Sequence, residues 1–392
     1  QAGDPAVLAD SLNWMGNWYA NAEQPSTAIR HHTKALEIVE RLGNQRDLVN
    51  TLDLLGVAHL LGADLSASIP YYDRSIALCQ ELNDRPRLLT GLIARAATVS
   101  VLPMLTLVPP EHPPDALGDL ERALTLTRDI GSVADEAWGY WALALVHLVQ
   151  GEYGPSLDAG SCGLSIAQAI GHREYSVTNH FSLALLHAEL FSPEQALAHG
   201  EAAQELADVL RSQLWFHNIA AAQAGTYLIR DDQEAAQSCL EAVLSPNTPM
   251  DALGNRLCWA RRAELALAQE DPMMTLDITE RLIASAPVMA PDSVITFLWK
   301  LKAEALTATG RAGEAESLLR AALENVGKSG ERYLLWRLHS GLGQALDAEG
   351  RGREAANHVT EARRLVEELA DTLPKGELRS NFSKQANRMI GP

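Results

Sequence analysis

The sequence predicts an all-α protein: a right-handed superhelical solenoid of about nine antiparallel helix pairs, closed by a C-terminal capping helix. Three observations carry this expectation. A short pattern of small and aliphatic residues returns about every 40 residues along the chain. Within each unit, two stretches place apolar residues at i, i+3, i+4 and i+7, the spacing of one helix face. Between the stretches sit helix breakers such as Pro25, Gly154-Pro155, Ser192-Pro193 and Asp271-Pro272. A single helix pair cannot bury its own apolar face, whereas stacked pairs can.

The frame is set by anchors Ala28, Ser68, Ala116, Ser156, Ala196, Ala235, Thr275, Ala315 and Ala355, spaced by 40, 48, 40, 40, 39, 40, 40 and 40 residues. Seven places after each anchor the residue is again small, as in Ala35, Ser75, Ala123, Gly163, Ala203 and Ala322; Leu282 breaks the rule. Twelve places before lies a second small position, read as Gly16, Gly56, Ala144, Ala184, Ala263, Ala303 and Gly343. In the short sixth unit the register among Ala222, Gln223 and Ala224 stays open. Four places earlier comes a bulky residue, among them Tyr140, His180, Trp259, Trp299 and His339. Small residues on facing sides let two helix axes approach closely, and the bulky residue packs into the neighbouring gap.

Bulky, small, Ala, small, with a large residue between the last two, resembles the tetratricopeptide repeat; the clearest unit reads Trp299, Ala303, Ala315, Leu319 and Ala322. The usual unit has about 34 residues, so these helices are longer. The array resembles the long-unit repeats in the C-terminal arms of bacterial STAND regulators, including the maltose-regulon activator, large LuxR-type activators and related ATPase or cyclase proteins. The tail Leu378-Arg379-Ser380-Asn381-Phe382 is similar to the closing helix of such arms. The resemblance implies a protein or peptide partner, or a small-molecule effector, on the concave face. It also implies an upstream nucleotide-binding or output domain in the parent chain.

The repeat array is assigned to 1–373 and the cap to 374–392, with one helix from Glu354 to Asp371, a stop at Pro374, and a second from Glu377 to Met389. The eight extra residues between the second and third anchors fall in an insertion loop at about 100–114, where five prolines forbid a continuous helix. Its apolar run Val101–Val108 either packs back on the solenoid or serves as a docking loop or lid on the groove. At the other end Leu8, Leu12, Trp14 and Trp18 leave the edge poorly capped, and the chain opens without Met. Both features are read as signs of an upstream domain or further repeats.

Composition excludes several function classes. With 32 Lys+Arg against 50 Asp+Glu, the net charge of −18 disfavours a nucleic-acid surface and an acidic membrane leaflet. No stretch approaches ~20 consecutive apolar residues, and the N-terminus lacks the basic and apolar regions of a secretory signal. Four cysteines without a CxxC fit free thiols in a reducing cytoplasm. The chain has no GxxxxGK[ST], GxGxxG, HExxH or GxSxG motif, so no cofactor, metal site or catalytic residue is assigned.

In the resembling family, groove residues sit at the second, fifth and ninth positions of each first helix. Those positions give a polar N-terminal wall of Asp10, Asn13, Asn17, Asn50 and Asp53. Asparagine both donates and accepts, so such a wall could clamp an extended backbone; the lack of basic partners argues against a carboxylate clamp. The central wall holds Trp138, Trp141 and Phe181, which either stack on a ligand or pack against neighbouring helices. The C-terminal wall mixes Glu264, Lys300, Glu304 and Arg337. The expected function is a non-catalytic sensor or regulatory arm. A constitutive interaction scaffold and an accessory domain of a multidomain enzyme are the alternatives.

Overall fold

The computed structural model describes residues 4–100, 105–290 and 293–391. Every regular element among the described residues is helical. Among the described residues nine pairs follow one another: α1 (Pro5–Asn21) with α2 (Pro25–Leu42), α3 (Gln45–Leu61) with α4 (Leu65–Glu81), and α5 (Arg85–Ala97) with α6 (Ala116–Ile130). Next come α7 (Val133–Val149) with α8 (Tyr153–Ala169), α9 (Arg173–Glu189) with α10 (Pro193–Leu210), and α11 (Gln213–Ile229) with α12 (Gln233–Glu241). The last three are α13 (Leu253–Ala268) with α14 (Pro272–Ala284), α15 (Thr296–Ala308) with α16 (Ala312–Ser329), and α17 (Leu335–Ala348) with α18 (Gly352–Asp371). Helix α19 (Glu377–Ile390) follows.

Within a pair, the helices cross at the small residues. Ala28, Ala315, Ala263 and Ala303 are fully buried there. The departures from Ala have a polar reason. Ser68 Oγ donates to the Gly56 carbonyl at 2.7 Å, Ser156 Oγ to that of Ala144 at 2.7 Å, and Thr275 Oγ1 to that of Ala263 at 3.0 Å. In each case the acceptor lies twelve residues earlier, on the partner helix, so the hydroxyl is satisfied at the tightest point of contact. Gly16 and Gly56 take the slot where an aromatic ring fills the gap: a Cβ would lie 2.4 Å from the His32 ring and 2.7 Å from that of Tyr72.

The turn inside eight of the nine pairs, all but the third, is the same short clip. Glu23, Ala63, Gly151, Phe191, Asp231, Glu270, Gly310 and Gly350 all have positive φ. The next N–H in each turn reaches back to a carbonyl near the end of the first helix, as Gln24 N does to Tyr19 O and Arg311 N to Leu306 O. Five of these residues are not glycine, so the frame imposes a left-handed conformation that composition alone would not assign. The clip also corrects the sixth register. Ala236, not Ala235, stands five places after Asp231; it is fully buried opposite Ala224, and Ala235 is half-buried. The insertion falls between two helices, at about the residues the prolines indicate. Ala96 is fully buried 40 residues after Gly56, so the extra residues lie inside the third pair, between α5 and α6. Residues 101–104 of its apolar run, and Pro291 in a later break, lie outside the described residues.

The superhelix is wound tightly enough to touch itself. Glu23 in the first turn pairs with His217 on α11, against Gly254 of α13. The buried Arg256 side chain donates to the carbonyls of Thr106, Met250 and Leu282 at 2.7–2.9 Å, which ties the insertion to the seventh pair. Leu105 and Leu107 are buried in the central core beside it. At the far end, α18 and α19 dock on the fourth and fifth pairs. Thr372 Oγ1 accepts from Tyr153 N at 3.0 Å, and Asn381 Nδ2 donates to the carbonyls of Leu190 and Phe191. Phe382, fully buried, sits edge-on to Tyr153 and against Phe191. Two glycines make room: a Cβ on Gly154 would lie 2.2 Å from the Thr372 carbonyl oxygen, and one on Gly151 would lie 2.3 Å from Leu369.

Two substitutions separate the local crossing from the long-range clasp. Ala303→Trp overpacks a crossing and should lower unfolding stability by at least ~1–3 kcal/mol in denaturant titration. Gly154→Val should instead release the C-terminal segment, seen as faster amide exchange over residues 377–390 with the other helices unchanged.

Candidate functional site

A cavity of about 780 Å³ runs along the inner side of the array. Its walls come from the first helices of the fourth to ninth pairs, closed by Leu105 of the insertion and by Gln385, Arg388 and Met389 of α19. Only first helices face inward because each second helix packs outside the crossing. The apolar part includes Leu148, Leu185, Leu228, Phe297, Leu301 and Trp336.

Charge in the cavity is balanced, with Glu189, Asp231, Glu264 and Glu304 facing Arg261, Lys300, Arg337 and Arg388. Arg261 pairs with Glu264 on α13, and Lys300 with Glu304 at 2.9 Å on α15. Arg261 and Lys300 also flank the Phe297 ring, 5.6 and 5.8 Å from its centroid. Arg337 crosses to the fifth pair, bonding Glu189 at 2.6 Å, and its guanidinium lies 4.3 Å from the Trp336 ring centroid. Tyr153 Oη donates to the same Glu189 oxygen at 3.0 Å. Burial acts against the charge on Arg337, and Glu189 with Tyr153 more than offsets it, holding the guanidinium above its ordinary range. This ion pair therefore belongs both to the cavity wall and to the contact between superhelical turns.

The structure gathers some of the expected groove residues and scatters others. Lys300 and Arg337 stand on the cavity wall with Glu264, Phe297, Glu304, Ser340 and Gln344. The central aromatics do not form a common wall in the cavity. Phe181 is 1% exposed and meets Trp215 edge-on at 5.7 Å. Trp138 stacks on Tyr175, and Trp141 is half-buried against the core. At the N-terminal end, Asn13 is buried, donating to Thr51 Oγ1 at 2.9 Å and accepting from His32 Nδ1 at 3.0 Å. Asn17 is half-buried and Asn50 exposed. Asp53 is half-buried, and loss of solvation raises its pKa to about 6, against the pull of Arg87. Glu189, Arg261 and Leu105 are absent from the positions that sequence reasoning selects. Arg261 is one place past a fifth position, a signal that was available. Glu189 reaches the cavity through closure between turns, which no local pattern reports, whereas Leu105 belongs to the apolar run read as packing back on the solenoid or as a lid on the groove.

Several histidines are held neutral inside the array. Burial lowers His32, His180, His187 and His339 to about 4, and each is lowered further by a neighbouring imidazole. His180 and His199 share a hydrogen bond between Nδ1 atoms at 2.9 Å, as do His339 and His358. One ring must donate and the other accept, which suits two neutral imidazoles. Among the described residues, no group of three or more His, Cys, Asp or Glu side chains is arranged to hold a metal ion. No helix among them is long and apolar enough to cross a membrane. The four cysteines are unpaired; Cys79 and Cys258 are buried, and Cys162 is exposed.

Residues 7–96 match the family model of the tetratricopeptide repeat. No curated protein sequence matches the chain. Among solved structures, the chain is similar to the crystal structure of a Rap protein complexed with competence and sporulation factor. The TM-score is 0.60 at 13% identity, covering 94% of this chain and 99% of that one. It is also similar to yeast Tom70, with a TM-score of 0.38 and 14% identity over 98% of this chain and 96% of that one. The Cut9–Hcn1 hetero-tetramer of APC/C gives 0.44 and 12% over 96% and 76%. At 13% identity, the likeness to the Rap protein is one of fold.

The buried imidazoles set an acid limit. Their folded pKa values lie below the unfolded value, so the unfolded chain binds more protons and stability falls as pH drops from about 6.5 toward about 4. Asp53 and Glu331, raised by burial to about 6 and about 7, act in the opposite direction over the same window. Four imidazoles outweigh two carboxyls. The thermal midpoint should therefore fall between about pH 7 and about pH 4, and His180→Gln with His339→Gln should flatten that slope.

Proposed function

We propose that the chain is a non-catalytic binding module whose inner cavity holds a short extended peptide or a similarly sized effector. The observation that carries this reading is the cavity itself: about 780 Å³, lined by inward-facing helices of six consecutive pairs, with apolar surface between ion pairs of both signs. That volume lies in the range of ligand pockets, ~300–1,000 Å³. A peptide suits such a wall because it brings both charges, backbone donors and acceptors, and apolar side chains. The similarity in fold to a Rap protein crystallised with competence and sporulation factor supports the reading.

The reading extends to a cytoplasmic regulatory arm of a larger signalling protein, of the STAND ATPase or transcriptional-regulator kind. There, cavity occupancy would alter the arm's contact with a nucleotide-binding or output domain. Arg337–Glu189 favours a switch over a constitutive scaffold, because one bond serves both the cavity and the contact between turns. A ligand can shift two conformations only through different affinities for them, and a carboxylate that takes Arg337 from Glu189 has that difference built in.

Native mass spectrometry of the chain purified under mild conditions should reveal a co-purifying mass in the peptide range. Lys300→Gln with Arg337→Gln should lower affinity for that molecule at least ~tenfold. Unchanged affinity in a variant that melts normally would overturn the assignment to the cavity.

A further inference from the structure

We propose that occupancy of the cavity is passed to α19: a ligand carboxylate that takes Arg337 from Glu189 loosens the hold on Phe382 and frees α19 from the fourth and fifth pairs. This names how the cavity is coupled to the rest of the molecule, and it rests on the reading of the cavity as a binding site.

Three ion pairs stand on the cavity wall among the described residues, and they differ in what they join. Arg261 with Glu264 lies within α13, and Lys300 with Glu304 within α15. Breaking either disturbs one helix. Arg337 with Glu189 joins α17 to α9, and so joins two superhelical turns. The two side chains are 17% and 13% exposed, so parting them leaves a carboxylate largely out of water. Such a state is costly unless the surroundings rearrange.

Two runs of contacts lead from this pair to the same side chain of α19. The first passes through Tyr153. Its Oη donates to the Glu189 oxygen that Arg337 holds, at 3.0 Å, and its ring stands edge-on to Phe382 with centroids 5.2 Å apart. The second passes through Trp336, whose ring centroid lies 4.3 Å from the Arg337 guanidinium. From there it runs to Phe191 at 6.5 Å and on to Phe382 at 6.2 Å. Tyr153, Trp336 and Phe382 are each at most 1% exposed, so none turns without moving its neighbour. Glu189 also lies two residues before Phe191, whose carbonyl accepts from Asn381 Nδ2 of α19 at 2.7 Å.

Helix α19 is the element that gives way. It has 14 residues, and its buried side chains are Phe382, Ala386 and Ile390. A helix of that length is marginal in water without its packing. Gln385, Arg388 and Met389 line the cavity, so the departure of α19 also removes part of the wall. A ligand that gains both Arg337 and room when α19 is free prefers the free state. That difference in affinity is what a population shift requires, and it acts in both directions.

Amide exchange of the ligand-free full chain at neutral pH tests the link. Glu189→Gln and Arg337→Gln should each speed exchange over residues 377–390 at least ~tenfold. Tyr153→Phe removes one hydroxyl and keeps the ring; it should give a smaller rise, and it serves if the charge variants fail to fold. Lys300→Gln and Glu264→Gln break pairs within one helix and should leave α19 at its original rate. Exchange of α19 that ignores Glu189, Arg337 and Tyr153, or that rises equally with Lys300→Gln, would overturn the proposal. A co-purifying molecule together with an α19 indifferent to these variants would overturn this inference alone. No co-purifying molecule would overturn the binding reading beneath it.

Discussion

The close crossing inside each pair is the constraint on which the rest of the molecule depends. Two helices can approach at Ala303 and Ala315 only because neither side chain extends beyond Cβ. Where the anchor is Ser68, Ser156 or Thr275, its hydroxyl bonds the carbonyl on the facing helix and spends no free hydrogen-bonding group at the contact. With the crossing fixed, the left-handed clip needs no glycine. Phe191, Asp231 and Glu270 adopt positive φ because the packed helices on either side leave the turn no other path. Each unit then hands the next one the same geometry, and the geometry accumulates along the array.

What could be read from the chain follows from this. Positions repeated every 40 residues report packing within and between neighbouring pairs, and periodicity exposes them: the nine pairs, the inward helices, and Lys300 and Arg337 on the inner wall. The misreadings share a cause. The sixth anchor slipped by one because Ala235 and Ala236 are equally small, and only burial tells them apart. Of the two readings left open for the central aromatics, packing against protein is the one seen for Phe181 and Trp138, which occupy inward register positions and meet Trp215 and Tyr175. Asn13, expected on the groove wall, is likewise taken by protein, since Thr51 and His32 satisfy its amide. Register says where a side chain starts. It does not say whether a neighbour from another unit reaches it first.

Contacts between superhelical turns lie beyond any local pattern. Gly151 and Gly154 look like ordinary turn breakers, and they are also the notch into which Leu369 and Thr372 fit. Arg256 looks like a surface cation on an amphipathic helix, yet it is wholly buried and holds three carbonyls with no carboxylate partner among the described residues. Burial lowers its pKa to about 10, which still leaves it charged near neutrality. These contacts draw the turns together, and α19 and Leu105 of the insertion add to the wall of a cavity that stays partly open.

Closure also decides how the site discriminates. The chain as a whole is strongly acidic, but among the described residues the cavity wall has four acidic and four basic side chains. The excess negative charge therefore lies elsewhere, and a merely cationic partner has no reason to prefer the cavity. Arg261, Lys300 and Arg337 already have acidic partners, so an anionic group that addresses one of these three must displace Glu264, Glu304 or Glu189 and leave that carboxylate satisfied in turn. A ligand with charges of both signs, spaced as the wall is spaced, can make that exchange without stranding a buried charge. A ligand with a single charge that breaks one of these three pairs leaves the other ion without its partner in a partly desolvated site.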